Sequence, residues 1–145
     1  MPPNLHPLVV HFPIALLTLA ALCEIIARLS GRESLRTTAY WNLVFGVLFA
    51  VVAVATGLFA ENRAPKTGVV HEAVESHESS AFITLTLFAI IFLWRVIREG
   101  EFYKKFSIIF LCAMIVAWFS LVVTSYYGGE LVYKHSVGAA EQKVE

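Results

Sequence analysis

Charged side chains are scarce in this chain, and their scarcity excludes most soluble folds. Asp, Glu, Lys and Arg make up 15% of the 145 residues, whereas 58% of the residues are hydrophobic. A soluble domain carries about 25% charged residues. The formal net charge is zero, so the chain has no basic excess of the kind that binds nucleic acid. We therefore expect a polytopic membrane protein.

Familiar catalytic and metal signatures are also missing. The chain has two cysteines and no C-x-x-C-H sequence, which excludes covalent attachment of a c-type haem. Glu75 stands where the zinc-protease motif beginning at His71 needs its second histidine. Two methionines are too few for a copper(I) conduit. With no nucleophile elbow or phosphate loop either, a hydrolase or transferase has little support.

Four hydrophobic runs approach or exceed the roughly 20 apolar residues that span a bilayer. They cover Leu8–Leu29, Trp41–Phe59, Ser80–Trp94 and Phe106–Tyr127. The runs predict an all-α membrane protein, a four-transmembrane-helix antiparallel bundle forming a single domain over 1–145. The expected helices cover approximately 7–29, 41–60, 71–98 and 104–128, followed by a flexible tail over 139–145.

The distribution of basic residues predicts the orientation of the bundle. Seven Lys and Arg residues lie in the connections after the first and third runs, and four lie on the opposite side. Since Lys and Arg are enriched in cytoplasmic loops, we expect both termini to lie outside the cytoplasm. This is the N-out/C-out arrangement of a multi-pass protein in a bacterial inner (cytoplasmic) membrane.

All five histidines fall on one side of this expected bundle. They are His6, His11, His71, His77 and His135. Every even crossing returns the chain to the same face, so these residues can converge despite their distance in sequence. Imidazole is the commonest transition-metal ligand in proteins and a frequent axial ligand of haem iron. The pattern predicts a metal or haem site at that face.

The start of the first helix has two alternatives, because proline suits a first helical turn. If Pro7 begins the helix, Pro13 bends the chain near His11. If Pro13 begins it, the preceding residues are extended. Irregular backbone inside a membrane is tolerated only where it lines protein or a cavity, so both alternatives favour an inward-facing His11.

The remaining helices carry three further features. Gly46, Ala50, Ala53 and Gly57 form a stripe of small residues, which favours helix packing, within the chain or in a homodimer, over contact with a flat porphyrin. Glu24 and Arg28 can form an ion pair, with a proton-handling role for Glu24 as the alternative. The pair at 128–129, two glycines, can end the last helix; if the helix persists, His135 lines up with Thr124.

Three segments resemble a known family. They are the HPLVVHFPIAL sequence over 6–16, His77 with Glu78, and GELVYKH over 129–135. Together they resemble the bacterial membrane family called domain of unknown function 2231, over nearly the whole chain. The resemblance implies a four-helix inner-membrane protein whose relatives are sometimes joined to Rieske or cytochrome c domains. Its pattern singles out His6, His11, His77 and His135, with His71 placed less securely, and has glycine where Ser136 stands here.

The leading hypothesis is a cytochrome b-like electron-transfer protein, more consistent with a non-catalytic subunit than with an enzyme. One or two haem b groups would use histidine axial ligands. His11 with His77 is the first expected pair, and His6 with His135 the next. The expected partners are the lipid bilayer and a quinol or a periplasmic carrier, such as a c-type cytochrome or a Rieske protein. Two alternatives remain: a haem-free His/Glu site for zinc or iron, and a structural accessory subunit of a larger respiratory complex.

Overall fold

The chain folds into a helical bundle whose computed structural model describes residues 5–62, 67–97 and 107–137. The described residues form five helices: α1 His6–Val9, α2 His11–Ser30, α3 Glu33–Glu61, α4 Val69–Ile97 and α5 Ser107–Tyr133. Helices α1 and α2 together make one candidate membrane span, and α3, α4 and α5 make the other three. The predicted all-α fold with four spans is confirmed.

The four long helices pack in a closed ring. Each contacts the helix that follows it in sequence, and α5 returns to contact α2. The start of α1, the end of α3, the start of α4 and the end of α5 come together through contacts of His6 and His77. We call this the histidine end of the bundle. The up-and-down topology therefore brings together residues from both halves of the chain.

A narrow apolar core runs along the axis of the ring. Its largest fully buried side chains come one from each long helix: Leu17, Leu43, Phe88 and Met114. Large hydrophobic side chains on the outer faces are instead about half exposed, for example Leu22, Leu48, Ile83 and Val116. A soluble protein rarely exposes so much contiguous apolar surface, whereas in a bilayer that surface contacts lipid. The burial pattern agrees with a membrane bundle.

The first span follows the alternative in which Pro7 begins the helix. Pro7 lies in the first turn of α1, and the single residue Val10 lies between α1 and α2. Pro13 then falls in the first turn of α2, where the missing N–H costs little. Val10 between the two helices keeps helical backbone angles, and its N–H donates to the His6 carbonyl at 3.1 Å, so the bend predicted near His11 stays a prediction.

Two helix boundaries differ from the sequence expectation. Helix α3 begins at Glu33, eight residues before the expected start, and Arg36 donates to the Glu33 carboxylate at 2.8 Å in its first turn. Helix α5 continues through the two glycines at 128–129 to Tyr133. Positive φ angles among the described glycines occur at Gly31 and Gly68 instead, so the glycine pair stays helical. The expected boundaries at 98 and 104 and the tail over 139–145 lie outside the described residues.

The expected ion pair between Glu24 and Arg28 is wrong. Glu24 is 4% exposed and faces the bundle, whereas Arg28 is exposed. No ion pair between the two is present among the described residues. The arginine can extend its long stem toward the headgroups without its neighbour.

The close approach of α2 and α3 depends on Gly46. A Cβ atom at this position would lie 2.5 Å from Leu17 Cδ2. Gly46→Val should therefore lower the free energy of unfolding by about 1–3 kcal/mol, the usual cost of overpacking. Reversible unfolding in mixed detergent micelles measures this change.

The lipid-facing Ala55 on the same helix provides the control for Gly46→Val. Ala55→Val should change the free energy of unfolding little. Leu17→Ala should partly rescue Gly46→Val, because it removes the clashing atoms and couples the two positions. Equal losses for Gly46→Val and Ala55→Val would contradict the packing argument.

Candidate functional site at the histidine end

His6 and His77 meet at the centre of the histidine end. Their ring centroids are 6.1 Å apart, and the ring planes are inclined by 75°. Both side chains are half-buried, and they come from the first and third spans. We call α1, α2 and α3 the first hairpin of the chain, and α4 and α5 the second. The two rings therefore form a pair between the two hairpins.

The ring of His6 is held against α3. Its Nδ1 donates a hydrogen bond to the backbone carbonyl of Ala53 at 2.9 Å and lies 3.4 Å from Thr56 Oγ1. A Cβ atom on Gly57 would lie 3.1 Å from the His6 Cε1 atom. Gly57 therefore leaves the room that the imidazole needs to approach the α3 backbone.

The ring of His77 is held against α5 in the same way. Its Nδ1 donates to the backbone carbonyl of Thr124 at 3.1 Å. A Cβ atom on Gly128 would lie 3.0 Å from the His77 Cε1 atom. Each ring of the pair thus rests on a glycine and bonds to a carbonyl one turn earlier on the same helix.

The two halves of the chain are structurally equivalent at a constant spacing. We call the carbonyl acceptor and the glycine that contact each ring the seat of that histidine. An offset of 71 positions relates the histidines and both elements of their seats: His6 with His77, Ala53 with Thr124, and Gly57 with Gly128. The same offset relates buried core positions: Leu17 with Phe88, Leu43 with Met114, and Gly46 with Ala117. The bundle is therefore built from two copies of one helical hairpin, which sequence analysis missed. Its sequence signal is weak: besides His and Gly, the identities at this offset include Val51-Val52 with Val122-Val123, and Leu16, Leu22 and Ile26 with Leu87, Leu93 and Ile97.

The hydrogen bonds fix the tautomer of both rings. A backbone carbonyl can only accept, so Nδ1 carries the proton in His6 and in His77. In the neutral ring the lone pair is then on Nε2. Metal-ligating histidines commonly donate their other ring N–H to a carbonyl, which orients the ring and raises the basicity of the ligating nitrogen. The pair has the protonation pattern of two metal ligands.

His11 does not face the bundle, and the expectation that it points inward is wrong. It is exposed, and its Nδ1 donates to the backbone carbonyl of Pro7 at 2.8 Å. The ring thus bonds to a carbonyl one turn earlier in its own span. His77 contacts His6 and not His11, the partner that the sequence favoured.

His71 and His135 lie on the α4–α5 side of the histidine end. His71 Nε2 is 3.5 Å from the Glu75 carboxylate one turn along α4. His135 lines a shallow depression with Glu72 and Glu130, among others. Glu130 also accepts a hydrogen bond from Lys134 at 2.6 Å, which raises the pKa of that lysine. These two histidines therefore have local acidic neighbours.

A site of three or more protein ligands is absent from the described residues. No group of three His, Cys, Asp or Glu side chains in these segments is close enough to hold a metal ion. Of the predicted site residues, the structure brings His6 and His77 into contact. Within the described residues, the pair therefore offers two protein ligands to a cofactor.

A family model described as "Predicted membrane protein (DUF2231)" matches residues 2–141. The chain belongs to this family. The match confirms the resemblance carried by the HPLVVHFPIAL and GELVYKH segments. No similar chain was found among curated proteins or among solved structures.

The neighbouring glycines Gly128 and Gly129 offer a matched test of the His77 seat. An alanine Cβ at 128 would press on the His77 ring, whereas at 129 its nearest contact would be Tyr133 at 4.0 Å. Both changes gain similar helix propensity, about 1 kcal/mol, so stability alone cannot separate them. Gly128→Ala should shift the His77 Nδ1–H signal in NMR of ¹⁵N-histidine-labelled protein, and Gly128→Val should abolish it.

Gly129→Ala should leave the His77 signal where it is in the wild-type spectrum. Gly57→Val should abolish the corresponding His6 signal and retain that of His77. If Gly128→Val leaves the His77 Nδ1–H signal unchanged, the ring is not seated on α5 as described.

Proposed function

We propose that this protein is a membrane-embedded b-type haem protein taking part in electron transfer, with His6 and His77 as the axial ligands of one haem. The observation that carries the proposal is the 6.1 Å separation of the two rings. An imidazole nitrogen binds a transition metal at about 2 Å, so two trans imidazoles on one metal have ring centroids roughly 6 Å apart. The observed spacing of 6.1 Å, which also fits an edge-to-face contact of two rings, matches this distance and supports the proposal.

The donor set favours haem over a bare metal ion. A porphyrin provides four equatorial nitrogens, so two protein ligands complete the coordination of its iron. A structural zinc site needs four protein ligands, and a catalytic one needs three. Since the described residues form no group of three, the haem-free zinc or iron alternative has less support.

The chemistry of two imidazole ligands points to electron transfer. Bound haem would supply one-electron exchange at iron, and two strong axial ligands favour this over oxygen chemistry. The protein residues would orient both rings through the carbonyls of Ala53 and Thr124. One pair supports one haem, so we propose a single group.

The proposal includes the membrane that holds the protein, the orientation of the bundle and the electron partner. We place the protein in a bacterial inner membrane with the histidine end outside the cytoplasm, as the positive-inside rule favours. The electron partner would be a quinol within the bilayer or a periplasmic carrier such as a c-type cytochrome or a Rieske protein. Either partner can approach the outer end of the bundle.

A visible spectrum with a pyridine haemochrome assay tests the proposal. Wild-type protein, gently solubilised from membranes, should show Soret and alpha bands and one haem b per chain. His6→Ala and His77→Ala should each lose most of the bound haem. His11→Ala and His71→Ala should retain it, because those rings bond locally, to Pro7 and Glu75.

Other outcomes of the same preparation identify the alternatives. Stoichiometric zinc or iron without porphyrin, found by elemental analysis, would select a haem-free metal site. Absence of both, with all four variants folded, would select a structural accessory subunit. Equal haem loss in the His11 and His77 variants would reject His6–His77 as the pair.

A further inference from the structure

Three hydroxyl groups form a cluster between α4 and α5, about two helical turns from His77 along α4. Thr84 Oγ1 lies 2.6 Å from Ser120 Oγ and 2.9 Å from Thr124 Oγ1. Thr124 Oγ1 also donates to the Ser120 carbonyl at 3.0 Å. Thr84 is 5% exposed, so its hydroxyl lies in the interior of the bundle. A buried hydroxyl needs hydrogen-bond partners, and here they come from the neighbouring helix.

This hydroxyl cluster belongs to one half of the chain. At the offset of 71 positions, the residues equivalent to Thr84, Ser120 and Thr124 are Pro13, Phe49 and Ala53. None of these three side chains can donate or accept a hydrogen bond. The first hairpin thus has no hydroxyl at the three positions equivalent to the cluster.

The hydroxyl cluster is directly connected to the His77 seat. Thr124 belongs to the cluster through its side chain and accepts the His77 Nδ1–H through its backbone carbonyl. Thr84 lies on the same helix as His77, seven positions further along. The cluster therefore links the helix that carries the ring to the helix that carries its acceptor.

His6 has a different kind of acceptor. Its Nδ1 lies near two oxygen atoms of α3, the Ala53 carbonyl at 2.9 Å and Thr56 Oγ1 at 3.4 Å. The Thr56 hydroxyl bonds within α3, to the carbonyls of Val52 and Ala53. No interhelical hydroxyl contact corresponding to that of Thr84 fixes this acceptor among the described residues.

We infer that Thr84, Ser120 and Thr124 are positioning residues for His77 that have no counterpart at His6, so that the two histidines are unequal ligands. The inference rests on the proposed function for its meaning in electron transfer. By fixing α5 against α4, the cluster holds the Thr124 carbonyl in line with the His77 Nδ1–H. Weakening that bond lowers the basicity of Nε2, which destabilises ferric iron relative to ferrous iron.

Histidine NMR on the haem-free protein tests the positioning without any cofactor. Thr84→Val removes the hydroxyl at nearly constant volume and should shift or broaden the His77 Nδ1–H signal, leaving that of His6 in place. Thr84→Ser keeps a hydroxyl and should restore the wild-type signal. Ser125→Ala serves as the matched control, because its hydroxyl bonds to Leu121 within α5 and lies outside the cluster.

The results separate this inference from the proposed function. An unchanged His77 signal in Thr84→Val, or an equal shift of both histidine signals, overturns the positioning role whether or not haem binds. A wild-type protein without haem rejects the proposed function and leaves the NMR result to decide the positioning. In haem-loaded protein, Thr84→Val should raise the midpoint potential, whereas Thr84→Ser and Ser125→Ala should keep it at the wild-type value.

Discussion

Two hydrogen bonds from imidazole to backbone hold the histidine end together. In a membrane, polar groups must find partners within the protein, and the Nδ1–H groups of His6 and His77 find theirs on the carbonyls of Ala53 and Thr124. Each bond requires a ring to approach a helix backbone closely, which the glycine one turn further on allows. Ring orientation, tautomer and helix spacing at this end follow from these contacts.

The duplicated hairpin explains why two distant histidines meet. Because each copy contains two spans, both copies have the same orientation, and such parallel repeats are related by an axis along the membrane normal. A side chain close to that axis lies beside its own counterpart in the other copy. One histidine position in the repeat therefore gives the pair His6–His77, with no separate requirement on either sequence segment.

Hydropathy predicted the four spans and the topology, and topology predicted which end of the bundle carries the histidines. Neither hydropathy nor topology could predict which histidine contacts His77. His11 and His6 are five positions apart on the same side, and their rings face different directions: His6 contacts α3 and His77, whereas His11 is exposed and bonds to Pro7. Helix ends were also missed: Glu33 starts α3 in a polar stretch without an apolar signal, and α5 continues through Gly128, which lies against the His77 ring.

The differences between the two hairpins are as informative as their likeness. Both copies build the same fold and the same histidine seat, one with Pro13, Phe49 and Ala53 and the other with three hydroxyl residues. Since the first copy packs without hydroxyls at these three positions, the fold does not require them there in the second. Burying a hydroxyl costs free energy unless it is fully bonded, so an apolar set would be the simpler solution. The cluster adds hydrogen bonds between α4 and α5, and one of its members, Thr124, also carries the backbone acceptor of His77.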